Sequence, residues 1–397
     1  MSSVAAVASP APQGAERLAG ETLTAEVISG LAGAERIWRE AETNAISFSP
    51  YQRFDWVQAF ADTVSPGADL RLAAIRDQRG APVLLLPLLL ERRAGLRIAT
   101  GIGGKHAHFY LPFMAPGAAG EVSPARLASL LGSIAREAGI DLFAIDCVPA
   151  TWGGQPNPLA AFGTPSPSNA YEVRLEADPD ATAQRSMSNE ARKRLRNKER
   201  GLAKLGEVEF VHAREPVQVD RLLDAFFRQK EERFRELGIP DPFRDPGVRG
   251  FIRKAALDRL EEGCPAIELY GLTVGTKVVA VLGGAADKDR LSGMFISFEA
   301  CKEALKFSPG DILVSRIVRE QCLRGRRYFD LGVGEARYKS TFCNDTVELV
   351  DAFLPVSAKG RVYASARRAL ASLKRQVKQS PRAMRLVARL RRATAAA

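Results

Sequence analysis

One order of elements, legible twice along the chain, constrains the fold more than any other feature. In the first half, a helix over 51–64 places Phe54, Val57, Gln58 and Ala61 on one side. Two strands follow, 70–76 and 83–90, separated by the turn sequence Asp77-Gln78-Arg79-Gly80. A third strand over 96–102 leads to a helix started by Ser123-Pro124 and ended by Gly139, with Leu127, Leu130, Leu131, Ile134 and Ala138 in a 3.6-residue stripe. A strand over 142–148 closes the unit. The second half repeats the order: helices over 217–237 and 248–263, strands over 266–273 and 278–285 around Val274-Gly275-Thr276-Lys277, a third strand over 291–298, a helix over 311–323 and a strand over 328–331. A duplicated supersecondary unit follows, each copy a mixed sheet whose third strand passes through a helix to a parallel neighbour. The stretch 151–168, punctuated by Pro and Gly, reads as a linker. The expected division is a disordered leader over 1–22, a first domain over 23–175, a second over 176–356 and a basic amphipathic helical tail over 357–397.

A chain of 397 residues exceeds the usual size of one domain, in line with two. Its densest apolar run, Val83 to Leu90, contains Pro87 and falls far short of the roughly 20 residues of a membrane span. The first 20 residues lack the apolar core of a secretory signal. Five cysteines with no C-x-x-C pair argue against a disulfide framework or a zinc site and for a reducing compartment, so a cytoplasmic protein is expected. The net charge of +11 suggests nucleic acid until it is located. From Ser357 onward there are twelve Lys or Arg and no Asp or Glu, which leaves 45 basic against 46 acidic residues in the rest. Within that tail Val362, Ala366, Ala369, Leu370, Leu373 and Val377 recur at helical spacing, and Ser380-Pro381 would start a second helix bearing Met384, Val387 and Leu390. The stripe either packs on the body or lies on an anionic membrane surface, which would place the protein peripherally at the inner membrane face.

Two stretches could carry chemistry. Ser308-Pro309-Gly310-Asp311 has the form of a helix start, with Ser308 as N-cap and Asp311 reaching back as in a capping box. A helix N-terminus beside a strand end suits a pyrophosphate, since orphan N–H groups and the helix dipole both favour an anion; a purely structural cap is the plainer account. Further on, a strand ends in Asp330 and a Gly332-Val333-Gly334 turn, after which a helix is expected to bring Glu335, Tyr338 and Lys339 within one turn of each other. The alternative is a tight turn with Tyr338 in the core and Lys339 solvated. The segment 189–205 carries Arg192, Lys193, Arg194, Arg196, Lys198, Arg200 and Lys204 without interleaved aromatics, which fits a solvated face or an anion-contacting one but not base stacking. His106 and His108 would share a strand face without a third ligand, so no metal is expected. Cys343 adjoins the second stretch as an incidental cysteine, and no serine-hydrolase elbow or Walker loop occurs.

Over 48–355 the sequence resembles the CelD-like branch of the GNAT acyltransferases, associated with bacterial cellulose and exopolysaccharide synthesis. The resemblance rests on Phe329-Asp330-Leu331-Gly332 through Tyr338-Lys339, on Ser308-Pro309-Gly310, and on 192–206 leading into the second domain. It is also similar in architecture to the Fem-type aminoacyltransferases, which pair two GNAT-like domains. The resemblance implies an α/β fold of two tandem GNAT-like domains and transfer of an acyl group from acetyl-CoA or another acyl-CoA to an amine, or a hydroxyl, of a small-molecule or glycan acceptor. It further implies Glu299 as the base, with Asp330 and Glu335 as alternatives, and Tyr338 as the acid for the departing thiolate. Ser308, Gly310, Asp311, Ile312 and Lys339 would bind the donor. The chain departs from ordinary GNATs in lacking the Gln/Arg-x-x-Gly-x-Gly/Ala loop, in whose place stands an insertion over 299–308. A tRNA-dependent Fem-like aminoacyltransferase and a catalytically silent partner of a polysaccharide synthase are the rival expectations.

Overall fold

The computed structural model describes residues 22–44, 47–116, 118, 122–336 and 339–379. The first half runs β1 Thr24–Ser29, α1 Gly30–Thr43, α2 Phe54–Thr63, β2 Asp69–Arg76, β3 Pro82–Arg93, β4 Leu96–Gly101, β5 Phe113–Met114, α3 Pro124–Ala138 and β6 Leu142–Pro149. A hairpin of β7 Thr151–Trp152 and β8 Gln155–Pro156, a 3-10 turn at Pro158–Phe162 and β9 Gly163–Pro165 follow. The second half runs β10 Ala170–Arg174, α4 Pro179–Ser186, α5 Asn189–Leu202, β11 Val208–His212, α6 Pro216–Leu237, α7 Pro246–Leu257, β12 Ile267–Val274, β13 Lys277–Ala286, β14 Arg290–Phe298, α8 Pro309–Leu323, β15 Tyr328–Val333, β16 Asp345–Val347, β17 Leu349–Pro355 and α9 Ala358–Gln379.

Two mixed sheets result. The first has the order β1-β2-β3-β4-β6-β17-β9 with β5 on β3, and the second β11-β12-β13-β14-β15-β10-β16. In each, the third strand passes through a helix to a parallel partner, β4 to β6 and β14 to β15. Local chemistry explains the helix between β4 and β6. Ser123 accepts the Arg126 N–H at 3.3 Å, Pro124 occupies the first turn, and Gly139 ends it in the left-handed region at φ +66°. Strands β3 and β13 are apolar on both faces because each is central and covered on both sides.

The sheets are not divided where the sequence pattern puts the boundary. Residues 170–174, expected in the first domain, form β10 between β15 and β16 of the second sheet, and residues 349–355, expected in the second, return as β17 to pair with β6. Each sheet therefore takes a strand from the far side of the boundary, which satisfies ladder groups on β6 and β15 that would otherwise form open edges. The stretch 151–168 carries β7, β8 and β9 and is no structureless linker. The expected leader, apart from Thr22, and the second tail helix lie outside the described residues.

The domains are joined by a continuous core. Trp56 and Phe60 of α2 meet Phe251 of α7 with ring centroids 4.9 and 5.5 Å away. Beside them the Arg53 guanidinium donates to the carbonyls of Pro265 (3.0 Å), Ala286 (2.6 Å) and Cys264 (2.9 Å). Asp55 is buried between Arg39 and Arg259 at 3.0 and 3.1 Å. A charge-assisted seam over an aromatic contact fixes the first domain against the second.

Candidate functional site

The parallel pair β14 and β15 stays in register only at Arg290↔Tyr328, Leu291↔Phe329 and Ser292↔Asp330. Beyond these three pairs the strands part, leaving a fork marked by Gly293 and Gly332. Gly332 has φ +76°, and a Cβ there would lie 3.1 Å from the Gly293 carbonyl oxygen and overlap His108 Nδ1 from the first domain. Gly332→Ala combines a left-handed backbone with that overlap. It should cost about 2–3 kcal/mol, read as a lowered urea midpoint.

On the face of the second sheet covered by α5 and α8, a cavity of about 700 Å³ opens at the N-terminus of α8. Ser308 and Asp311 form one wall, Arg194, Leu195 and Lys198 of α5 another, and Thr341 and Phe342 a third. The expected capping box is absent. Ser308 sits in the left-handed region at φ +49° and makes no side-chain cap. Its Oγ instead accepts from Lys198 Nζ at 2.9 Å, and the same ammonium reaches Asp311 Oδ2 at 2.9 Å. Lys198 thus offsets the one acidic group at the helix start and adds positive charge where the helix dipole is already favourable to an anion. The packing of α5 on this site needs Gly201, whose Cβ would overlap the Phe307 ring, and is reinforced by Arg316 Nε to Glu199 Oε1 at 2.8 Å.

Gly310 lies beside β14, where a Cβ would come 3.6 Å from Phe298, and Ile312 is buried in the core below the first turn, so its side chain packs while its backbone faces the helix start. Glu299 is buried at the end of β14 with Arg228 at 2.8 Å and Lys277 at 3.4 Å. Burial opposes its charge, but the two cations outweigh that and hold its carboxyl below the ordinary range. Asp330 is fully buried at the interdomain seam, away from the cavity lining. Its Oδ1 accepts from Ser292 Oγ (2.8 Å) and the Gly332 N–H (3.1 Å), and its Oδ2 from Arg290 (3.2 Å). Ser292 in turn meets the Tyr51 hydroxyl at 2.8 Å, so the network crosses from one domain to the other. Burial pushes the Asp330 carboxyl up to about 6, against the pull of Arg290 and Ser292.

The expected helix carrying Glu335, Tyr338 and Lys339 on one turn is not formed. Glu335 is exposed on a loop, helical geometry begins only at Lys339, and Tyr338 lies outside the described residues. Lys339 is buried, with Nζ donating to the carbonyls of Gly332 (2.9 Å) and Val333 (3.2 Å); its ammonium ties down the turn after β15. His106 and His108 lie in a 3-10 turn and the loop after it, on no strand, and no group of three metal-ligating side chains is present among the described residues. Burial raises the Cys343 thiol to about 12, so it is no thiolate nucleophile. The cavity-lining pair Arg194 and Lys198 belongs to the basic segment, whose composition alone does not set the two apart from its other cations. The signal lies in their i, i+4 spacing beside Leu195, with Lys198 turned to the body and Arg194 at the exposed rim.

Residues 189–340 match the acetyltransferase (GNAT) domain family. The fold is similar to that of FemX, with a TM-score of 0.59 at 10% identity over 85% of this chain and 99% of that one. A conserved protein of unknown function from Bacteroides thetaiotaomicron gives 0.51 at 12% identity over 82% and 97%. The C-terminal domain of a putative lysylphosphatidylglycerol synthetase from Agrobacterium fabrum gives 0.48 at 13% over 83% and 95%. No curated protein matches the sequence. The chain is thus a mixed α/β protein of two units with the same order of elements, and residues 189–340 of the second match the GNAT acetyltransferase domain.

Proposed function

We propose that the protein transfers an acyl group from an acyl-CoA to an amine, or a hydroxyl, of a small-molecule or glycan acceptor in envelope polysaccharide or related biosynthesis, as the CelD-like resemblance implies. The observation that carries this reading is the cavity at the N-terminus of α8, where Ser308 and Asp311 stand opposite Arg194 and Lys198. A pyrophosphate suits the helix start and the two cations. An extended pantetheine arm can take the place of a strand where β14 loses its partner, using ladder groups that β15 leaves unpaired. The acceptor nitrogen attacks the thioester carbonyl, the C–N bond forms as the C–S bond breaks, and the thiolate leaves with a proton. Glu335, exposed beside the fork, is assigned the acceptor's proton, and Tyr338 the proton that the thiolate takes. Asp330 acts as a positioning residue, because its oxygens are committed to Ser292, Gly332 and Arg290. Glu299 can serve as a base only by giving up Arg228 and Lys277.

Calorimetric titration with acetyl-CoA, a long-chain acyl-CoA and free coenzyme A tests the reading. Saturable binding of at least one is expected, weakened about tenfold or more by Lys198→Glu, which reverses one charge-assisted contact. If none of the three binds, the acyl-CoA reading fails. A second reading then takes its place: aminoacyl transfer from a charged tRNA, favoured by Lys193, Arg196 and Arg200, which project from α5 into solvent. Its mark is tRNA binding that falls steeply with salt.

A further inference from the structure

Helix α9 packs on the body through Ala364 and Tyr363, which join Leu96, Ile98, Leu142 and Phe353, yet it leaves its larger aliphatic side chains on the outer face. Its inner face is built of Gly360, Ala364, Arg367, Arg368, Ala371 and Arg375, which recur at helical spacing and are at least half-buried. Small residues let this face approach closely, and polar contacts hold it. Arg367 reaches Asp146 at 3.3 Å, Arg368 donates to the Phe353 carbonyl at 2.8 Å, Arg375 to the Ser166 carbonyl at 3.3 Å, and Lys378 to Ser168 Oγ at 2.9 Å. The opposite face carries Val362, Ala366, Ala369 and Leu373, one residue per helical turn, all exposed. Val362 is 74% exposed, Leu373 57% and Leu370, on the flank, 46%. Lys359, Arg361 and Lys374 are exposed along the edges of this stripe. Three aliphatic side chains held in water on one helix face call for a partner.

Charge decides which partner. From Ser357 to the end the sequence has twelve Lys or Arg and no acidic residue, five of the twelve lying beyond α9. A second copy of the chain would bring two such cationic segments together and is disfavoured by their repulsion. A polynucleotide would meet the cations but leave the aliphatic stripe in water. An anionic lipid surface offers both a negative headgroup layer and an apolar medium a few ångströms below it, which is the combination an amphipathic helix with a cationic border fits. We propose that α9 docks the protein on an anionic lipid surface, with Val362, Leu370 and Leu373 entering the acyl boundary and Lys359, Arg361 and Lys374 meeting the headgroups. Among the described residues no helix is long and apolar enough to cross a membrane, so attachment through α9 is peripheral. The inference is independent of the acyl-transfer reading, since it uses no residue of the cavity.

Sedimentation of the full chain with vesicles tests it. The protein is expected to pellet with vesicles of phosphatidylcholine and phosphatidylglycerol in a ratio of about 3:1 and to remain in solution with phosphatidylcholine alone. Binding should fall about tenfold or more when salt rises to about 0.5 M, which shortens the screening length. Replacing the exposed pair together, Val362→Ser with Leu373→Ser, should lower partitioning about tenfold at an unchanged melting temperature, because neither side chain packs on the body. Arg361→Gln with Lys374→Gln should lower it to a similar degree, whereas Leu323→Ser, 65% exposed at the end of α8, should leave it unchanged. Equal binding to neutral and anionic vesicles, no binding to either, or indifference to both double variants would overturn the proposal. So would a dimer in light scattering that the Val362 and Leu373 pair abolishes, since that outcome assigns the stripe to a second copy.

Discussion

Glu268→Gln should lower the stability of the second domain by about 3–5 kcal/mol, seen as a shifted urea midpoint and as faster hydrogen exchange in β12 and α8. Glu268 has a side chain only 2% exposed and is gripped from two sides. Its Oε1 accepts from Arg324 at 2.9 Å and Arg326 at 2.7 Å, and its Oε2 from the same two at 2.7 and 2.6 Å and from the Tyr270 hydroxyl at 2.5 Å. Burial alone would drive the carboxyl neutral, yet the two guanidiniums outweigh it and hold the pKa far below the ordinary range. An amide in its place has the same shape but no charge, and it turns an N–H toward a guanidinium. Two cations are then left without their counter-charge, one of them only 7% exposed. The exposed pair Arg36–Glu40, at 2.9 Å, gives the scale for comparison: Arg36→Ala should cost less than about 0.5 kcal/mol. The chelate lines an interdomain cleft of about 940 Å³. A loss under about 1 kcal/mol on Glu268→Gln would mean that water in that cleft hydrates the arginines and that the carboxylate does not hold the strand ends together.

What the sequence discloses and what it hides divide along the range of the forces involved. The helix α3 is written in Ser123, Pro124 and Gly139, each acting within a turn of itself, and the β2–β3 turn in Asp77 and Gly80, where Asp77 Oδ1 accepts the N–H groups of Arg79 and Ala81. The parallel pairing of third strand and post-helix strand follows from handedness and connection length. Strands β10 and β17 are different. Each is short, and each finds its sheet through a partner well over a hundred residues away, so nothing local distinguishes one sheet from the other. The candidate site shows the same division. The anion-favouring start of α8 was legible in Ser308-Pro309-Gly310, yet the local rule for that motif gives Ser308 and Asp311 to the backbone, whereas Lys198 takes both from another helix. Lys339 reads as a solvated cation by its type, and only the turn after β15 supplies the carbonyls that bury it. His108 at the fork has no local signal, since the glycine it touches belongs to the other domain.

Acidification from pH 7 to pH 5 should remove about 3–5 kcal/mol of stability, and the chain's three histidines should account for it. Burial lowers His106, His108 and His212 to about 4 each, with Lys105 adding to the effect at His106 and Lys339 at His108, while at His212 the nearby Glu268 pulls the other way. An imidazole with a folded pKa near 4 and an unfolded one near 6.5 contributes stability that is fully present above about pH 6.5 and is lost as pH falls toward 4. At pH 5 most of each unfolded imidazole is protonated while most of each folded one is not, which amounts to about 2 kcal/mol per histidine. Asp330 acts in the opposite sense. With its folded pKa raised to about 6, its buried charge is relieved as pH drops through that value, returning about 1 kcal/mol. Glu268, depressed far below its ordinary value, begins to lose its contribution only below about pH 4.5 and leaves this window to the imidazoles. The measurement is urea unfolding at half-unit steps of pH, paired with imidazole NMR shifts in the native state. Three signals that stay neutral down to pH 5 while the midpoint falls would establish the linkage; three that titrate near 6.5 would refute it. His108→Gln should flatten the pH dependence by about a third, because the histidine against Gly332 is one of three equal contributors and glutamine has no proton to take up in this range.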